Sequence, residues 1–238
     1  MSNSSISFDN YTAVTVSTKL STTSTRTNSS TICEAREKIL SQFQKSFIEI
    51  DHQWKLWENS FKEAELDVHV KILSNLIDNA QSCQNANLGR ANLIKHFPDI
   101  REKLLFKIER DIEEEKDLLS SLLKTLQNIY SSVSSQCDNS FKIFEKYKLD
   151  LSSVAETQKT EVWPSISQML QWLKELEKAF ENECLVREFV LENMDLHEPS
   201  TTENLMKIWC DYSKLRILVN DVMTFVSFFI QADLTKIS

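Results

Sequence analysis

Residues 40–61 read LSQFQKSFIEIDHQWKLWENSF. Large apolar side chains fall at Leu40, Phe43, Phe47, Ile50, Trp54, Trp57 and Phe61, at intervals that alternate between three and four. That period keeps one stripe facing a partner helix. Ala64 and Val68 extend the stripe, which then shifts by one residue to Ile72, Leu76 and Ala80, as in a coiled-coil stutter. The spacing predicts one helix over 32–84, on the order of 80 Å long, with a place for a bend near 65–70. Its start is marked by TICE, where Thr31 and Glu34 have capping-box spacing.

Composition supports this reading. The 238 residues include 1 glycine and 3 prolines. Strand turns and phosphate-cradling loops both draw on glycine, and Gly89 alone cannot supply either. The expected fold is all-α, with long helices and few connections. An apolar share of 41% is enough to bury a core.

Working outward, QNANLGRANLIKHFP at 84–98 reads as a connection, with Gly89 as a C-cap and Pro98 in the next first turn. The following helix, 98–148, carries Leu104, Ile108, Ile112, Leu119, Leu122, Leu126, Ile129, Val133, Cys137, Phe141 and Phe144. Its acidic run ERDIEEEKD, 109–117, reads as a solvated face. Residues 149–163 read as a linker. A third helix starts after Pro164, where Ser165 and Gln168 again have capping-box spacing. Ile166, Met169, Leu170, Leu173, Leu176 and Phe180 form its apolar face, with Trp172 on the border and Trp163 just before the cap. After DLHEPSTTEN, with a further box at Ser200 and Glu203, one last helix is expected over 201–233. It carries Leu205, Ile208, Trp209, Tyr212, Leu215, Leu218, Val222, Phe225 and Phe229 and becomes apolar on nearly every side, so it must be covered.

The domain reading is therefore a Ser/Thr-rich disordered tail over 1–30, a long antiparallel helix pair over 31–148, and a C-terminal helical pair over 164–238 packed on the first. The tail has too few large apolar groups to offset the entropy of ordering.

Nothing in the chain spells a reaction. The histidines His52, His69, His96 and His197 lie in different segments, none at metal-ligand spacing with Cys, Asp or Glu. HExxH, GxSxG and GxxxxGK[ST] are absent. The cysteines, Cys33, Cys83, Cys137, Cys184 and Cys210, form no CxxC and read as reduced packing residues. No cofactor or metal is expected. A net charge of −8 disfavours direct nucleic-acid binding. One local basic cluster, Arg90, Lys95, Arg101, Lys103, Lys107 and Arg110, is diluted by Asp99, Glu102 and Glu109. No segment has the ~20 apolar residues of a membrane span, and no membrane role is expected. The tryptophan and phenylalanine stripes suit either a core or an interface, because both favour large aromatic groups.

Several blocks carry a resemblance. PSISQMLQWLKELEKAF (164–180), VREFVLENM (186–194) and FVSFFIQADL (225–234) resemble the AIRIM family, ribosome-maturation factors that accompany an AAA ATPase. FPDIREKLLFKIERDIEE (97–114) and, more loosely, LWENSF (56–61) and LSNLIDNAQ (73–81) extend the likeness over about 35–232. The resemblance implies a non-catalytic adaptor. Its partners would be AAA ATPase subunits, a small helical protein that interacts with a cyclin-dependent kinase and, indirectly, the pre-60S particle. It further implies release of a shuttling factor in the cytoplasm, turnover of replisome proteins on chromatin, and a cytoplasmic and nuclear location. The matching positions Met169, Leu170, Trp172, Leu173, Leu176, Phe225, Phe228 and Phe229, with Ser227, become candidates for partner binding. A structural coiled-coil tethering or cytoskeletal component is the alternative.

Overall fold

The computed structural model describes residues 24–64, 66–86, 96–147, 163–194 and 199–232. Six helices occupy them, with no strand among the described residues. They are α1 (Ser24–Glu63), α2 (Leu66–Asn85), α3 (Ile100–Tyr147), α4 (Ile166–Glu192), α5 (Pro199–Cys210) and α6 (Ser213–Gln231). The fold is all-α, as the composition requires.

Ile48 and Leu56 are exposed, but all seven stripe residues from Leu40 to Phe61 are buried. They face α3, and the pairing is antiparallel. Ser46 meets Gln136 and Ser140, while further along His69 meets Glu115. One polar layer fixes this register. The Ser140 hydroxyl donates to Ser46 Oγ at 2.9 Å, Ser46 Oγ lies 3.2 Å from the Gln136 carbonyl, and Gln42 Nε2 donates to Ser46 from one turn away. Sliding α3 by a turn would strand two buried hydroxyls among apolar groups, at a cost of about 1–3 kcal/mol each.

The helix expected over 32–84 is two helices. The stripe shows why. Past the break the buried residues are Leu73, Ile77 and Ala80, whereas Val68 and Ile72 are exposed and Leu76 is half-buried. At about 100° per residue, an unbroken helix would aim Leu73 roughly 110° and Ile77 roughly 150° away from the mean direction of the α1 stripe. Ending α1 at Glu63 and restarting at Leu66 returns both to α3. The first half of α3 thus packs on α2 and its second half on α1.

The start of order also differs from expectation. Helix α1 begins at Ser24, inside the segment read as tail, so Thr31 is a helix-interior residue and not a cap. The remainder of that tail, most of the linker over 149–162, and Gly89 lie outside the described residues.

Helix α4 begins as its sequence indicates. The Ser165 hydroxyl accepts from the Gln168 N–H, and Gln168 Oε1 accepts from the Ser165 N–H in return. This helix lies antiparallel to α3, with Ser134 donating to Glu177 and the Cys137 thiol 3.2 Å from the Leu173 carbonyl. The single helix expected over 201–233 is also two. Trp209 and Leu215 are both buried but are about 120° out of phase on a common helix. The turn at Asp211–Tyr212 reconciles them, and the Asp211 carboxylate accepts from the Ser213 N–H, the first of α6. That bond holds the Asp211 carboxyl below its ordinary range. Ser200 falls within α5, which starts at Pro199. Helix α6 then runs antiparallel to α1, with Tyr212 beside Phe61 and Phe229 beside Phe47. Helices α1, α3, α4 and α6 form the bundle, and α2 and α5 extend it at one end.

Replacing Trp57 by Ala removes a fully buried ring from this bundle. We expect a loss of about 3–5 kcal/mol in urea unfolding, against less than about 0.5 kcal/mol for Val68→Ala on the exposed side of α2.

Candidate partner-binding face

The candidate residues from α4 and α6 divide by burial. Met169, Leu173, Leu176 and Phe229 are fully enclosed in the core, so they hold the fold and present nothing to a partner. Leu170 and Trp172 are half-buried at its edge. Phe225 and Phe228 point outward, 62% and 70% exposed. Helix α6 therefore has two apolar sides. Leu215, Val219, Val222, Val226 and Phe229 close the core, while Ile217, Phe225 and Phe228 lie in solvent.

The two helices are joined at this face by a ring pair. Trp172 stacks on Phe225 with centroids 5.5 Å apart and planes 12° from parallel. Trp163, just outside α4, meets Phe229 edge-on at 5.9 Å. One tryptophan therefore braces the buried ring of α6 and the other braces an exposed one. Helix α1 completes the support: Gln44 Nε2 donates to the carbonyls of Ile230 and Ala232 at 2.8 and 2.9 Å, with that of Phe229 at 3.2 Å. The Phe229 carbonyl also accepts from the Ala232 N–H, while the last carbonyls of a helix lack partners within it, so one side chain from α1 helps to fix the end of α6.

Arg187 is a structural residue outside the candidates read from the sequence. Its guanidinium is fully buried, over the rings of Trp57 and Phe61 at 5.6 and 5.0 Å. Nη1 donates to Glu183 Oε2 at 2.6 Å and to the Glu183 carbonyl at 2.8 Å. Only its i,i+4 spacing from Glu183 could have signalled it. Leu185 and Phe189 on the outer side of α4 are exposed.

Among the described residues, no group of three or more His, Cys, Asp or Glu could hold a metal, and no helix is long and apolar enough to cross a membrane. His52 and His96 are exposed and His69 pairs with Glu115, while His197 lies outside the described residues. Burial, with a smaller contribution from Glu177, pushes the Cys137 thiol up to about 12. Burial likewise pushes Cys184 up to about 12, against the opposing pull of Arg187. Neither thiol becomes a nucleophile near neutrality. The basic cluster is largely paired: Arg101 donates to the Ala86 carbonyl, Lys103 meets Asp99 at 2.6 Å, and Arg110 meets Asp111 and Glu114. Arg90 and Lys95 lie outside the described residues.

What remains is a rigid helical body with outward aromatic groups. A family model described as "Ribosome biogenesis protein C1orf109-like" matches residues 37–228, which span the bundle from α1 to α6. The chain belongs to this family. Within the C1orf109-like family, the human protein named AFG2-interacting ribosome maturation factor is 29% identical over 192 residues, covering 79% of this chain and 93% of its own length. The protein of the same name from Xenopus tropicalis is 31% identical over 192 residues, covering 78% and 91%. That from Mus musculus is 25% identical over 190 residues, covering 79% and 87%. The resemblance read from the α4 and α6 blocks therefore holds. The family match includes Trp172, Phe225 and Phe228 and stops at the last of them.

Two measurements check this geometry. Alkylation at pH 8 should modify Cys83 and Cys210 well before Cys137 and Cys184, whose thiols stay protonated four units below their pKa of about 12. Peptide mapping of the modified native protein reads the order. Gln44→Ala leaves the end of α6 without its donor, at a cost of about 1–2 kcal/mol, and should speed amide exchange at the end of α6 relative to the middle of α3.

Proposed function

We propose that this protein is a non-catalytic adaptor that docks on an AAA ATPase of the AFG2 type and supports maturation of the large ribosomal subunit. The observation that carries the reading is the family match over 37–228, together with relatives named for AFG2 interaction and ribosome maturation. The division of labour follows. The ATPase hydrolyses nucleotide, and the helical body presents a surface and positions a substrate. Release of a shuttling factor from cytoplasmic pre-60S particles is the step it serves, alongside a small helical partner that interacts with a cyclin-dependent kinase. Turnover of replisome proteins on chromatin belongs to the same proposal, and so does residence in both cytoplasm and nucleus.

The docking face is placed at Trp172, Phe225 and Phe228. Exposed aromatic rings on a well-packed helix are the side chains that most often dominate binding energy at an interface. Stacking on Trp172 already restricts the Phe225 ring, so less side-chain entropy is lost on docking.

The test is Phe225→Ala combined with Phe228→Ala. Both rings are mostly in solvent, so melting and helicity should stay near the parent values. Capture of the purified AFG2-type ATPase should fall at least tenfold, measured by surface plasmon resonance. Undiminished capture would place the docking face elsewhere. Absence of any interaction between the parent chain and the ATPase would overturn the function itself.

A further inference from the structure

A second open apolar surface lies between α2 and the first half of α3, and it shares no residue with the Trp172 face. The contact of His69 Nδ1 with Glu115 Oε2 at 2.7 Å shows which side of each helix lines the groove. On α2 the same side carries Ile72 and Leu76, and on α3 it carries Leu104, Ile108 and Leu118, at helical spacing from the contact pair. Leu104 and Leu118 are 45% and 50% exposed, and Ile72 is 37% exposed. At one end, where α1 stops and α2 begins, the groove deepens into a cavity of about 220 Å³ lined by Ala64, His69, Leu118 and Leu122. That space takes a leucine or phenylalanine side chain.

The rim changes sign along its length. Lys103 and Lys107 lie near Leu104. Toward the cavity the rim carries Asp111, Glu114 and Glu115. Arg110 is shared between Asp111 at 3.3 Å and Glu114 at 3.5 Å, one cation for two carboxylates. The opposite rim, on α2, is uncharged at Asn75 and Asn79. From Leu104 to Leu118 the groove runs about 21 Å, the length of roughly 14 helical residues.

We propose that this groove binds an amphipathic helix of a partner protein, with an apolar side chain in the cavity and basic residues over Asp111, Glu114 and Glu115. Helix-in-groove recognition uses anchors at i, i+4 and i+7 of the bound helix, a span of about 10 Å that fits within this groove. The acidic run at 109–117 then sets the orientation of the bound helix as well as keeping the chain soluble.

The probe is an 18-residue peptide with leucines at i, i+4, i+7 and i+11 and lysines flanking the last two. Its counterpart carries glutamates in place of those lysines. Fluorescence anisotropy with the full chain should show the lysine peptide binding at least tenfold tighter, with the advantage shrinking in high salt. Leu118→Asp and Ile72→Asp should each weaken it at least tenfold, while Phe228→Ala leaves it unchanged. Asp111→Lys with Glu114→Lys should reverse the preference between peptides. This double variant keeps every apolar residue, so it reads the groove even if Leu118→Asp disturbs folding. Equal affinity for the two peptides, or no reversal in the lysine variant, would overturn the proposal. So would a chain that dimerises on its own and becomes monomeric with Ile72→Asp, because the occupant would then be a second copy.

Discussion

The structure depends on one aromatic layer at the end of the bundle where α1 stops and α6 starts. Trp57 meets Phe180 edge-on at 5.3 Å, Trp54 meets Phe180 and Tyr212 at 6.5 and 6.1 Å, and Phe61 lies 4.7 Å from Tyr212. These rings come from α1, α4 and the turn before α6. The layer is therefore where the C-terminal helices attach to the long N-terminal pair. Arg187 enters it from α4, with its guanidinium against Trp57 and Phe61. A buried cation with one carboxylate partner is a poor source of stability compared with an apolar group of the same volume. Its contribution is to orientation: Glu183 moves with α4, so the contact that orients α4 is the seat of the guanidinium on the two α1 rings, which rotation would break.

The fold class was legible because its signal is redundant. Scarcity of glycine, the three–four stripe of α1 and the capping box at Ser165 each point to helices, and the seven stripe residues that define α1 are all core. The misreadings have a common cause. Both supposed long helices, over 32–84 and 201–233, are split where no glycine or proline marks a break. At Ala64 and at Asp211 the interruption is imposed by tertiary phase: residues on either side must face the same core but lie on different sides of a continuous helix. Local propensity favours continuation there, and only the identity of the facing helix shows which residues are to be buried. The same limit applied to the stutter. Shifting the stripe to Ile72 and Leu76 kept the helix intact on paper, whereas the molecule buries Leu73 and Ile77.

The candidate face was legible in composition and illegible in orientation. FVSFFI contains three phenylalanines within five residues. Helical geometry alone places both Phe228 and Phe229 one turn on from Phe225, about 60° to one side of it and about 40° to the other. Which of them meets the core follows from contacts made at long range: Phe229 is gripped by Phe47 and Trp163, and Phe225 stacks on Trp172 at the edge of the core. Met169, Leu173 and Leu176 looked equally suited to a partner until α3 was found to cover them.

These constraints bear on how such a chain can serve a larger machine. Binding on a flexible segment costs ordering entropy for every residue fixed. Here the outward rings of α6 share a helix with Val222, Val226 and Phe229, which the core already immobilises, and Gln44 ties down the last turn. Most of the ordering cost is thus met during folding, before any partner arrives. The groove beside α2 has the same property, since Leu118 is next to buried Leu119 and Ile72 is next to buried Leu73. In both places a residue that closes the core and a residue that faces solvent are one or a few positions apart on one rigid helix. Such a helical body can therefore hold two apolar surfaces at fixed separation, which is the physical requirement for bridging one protein to another.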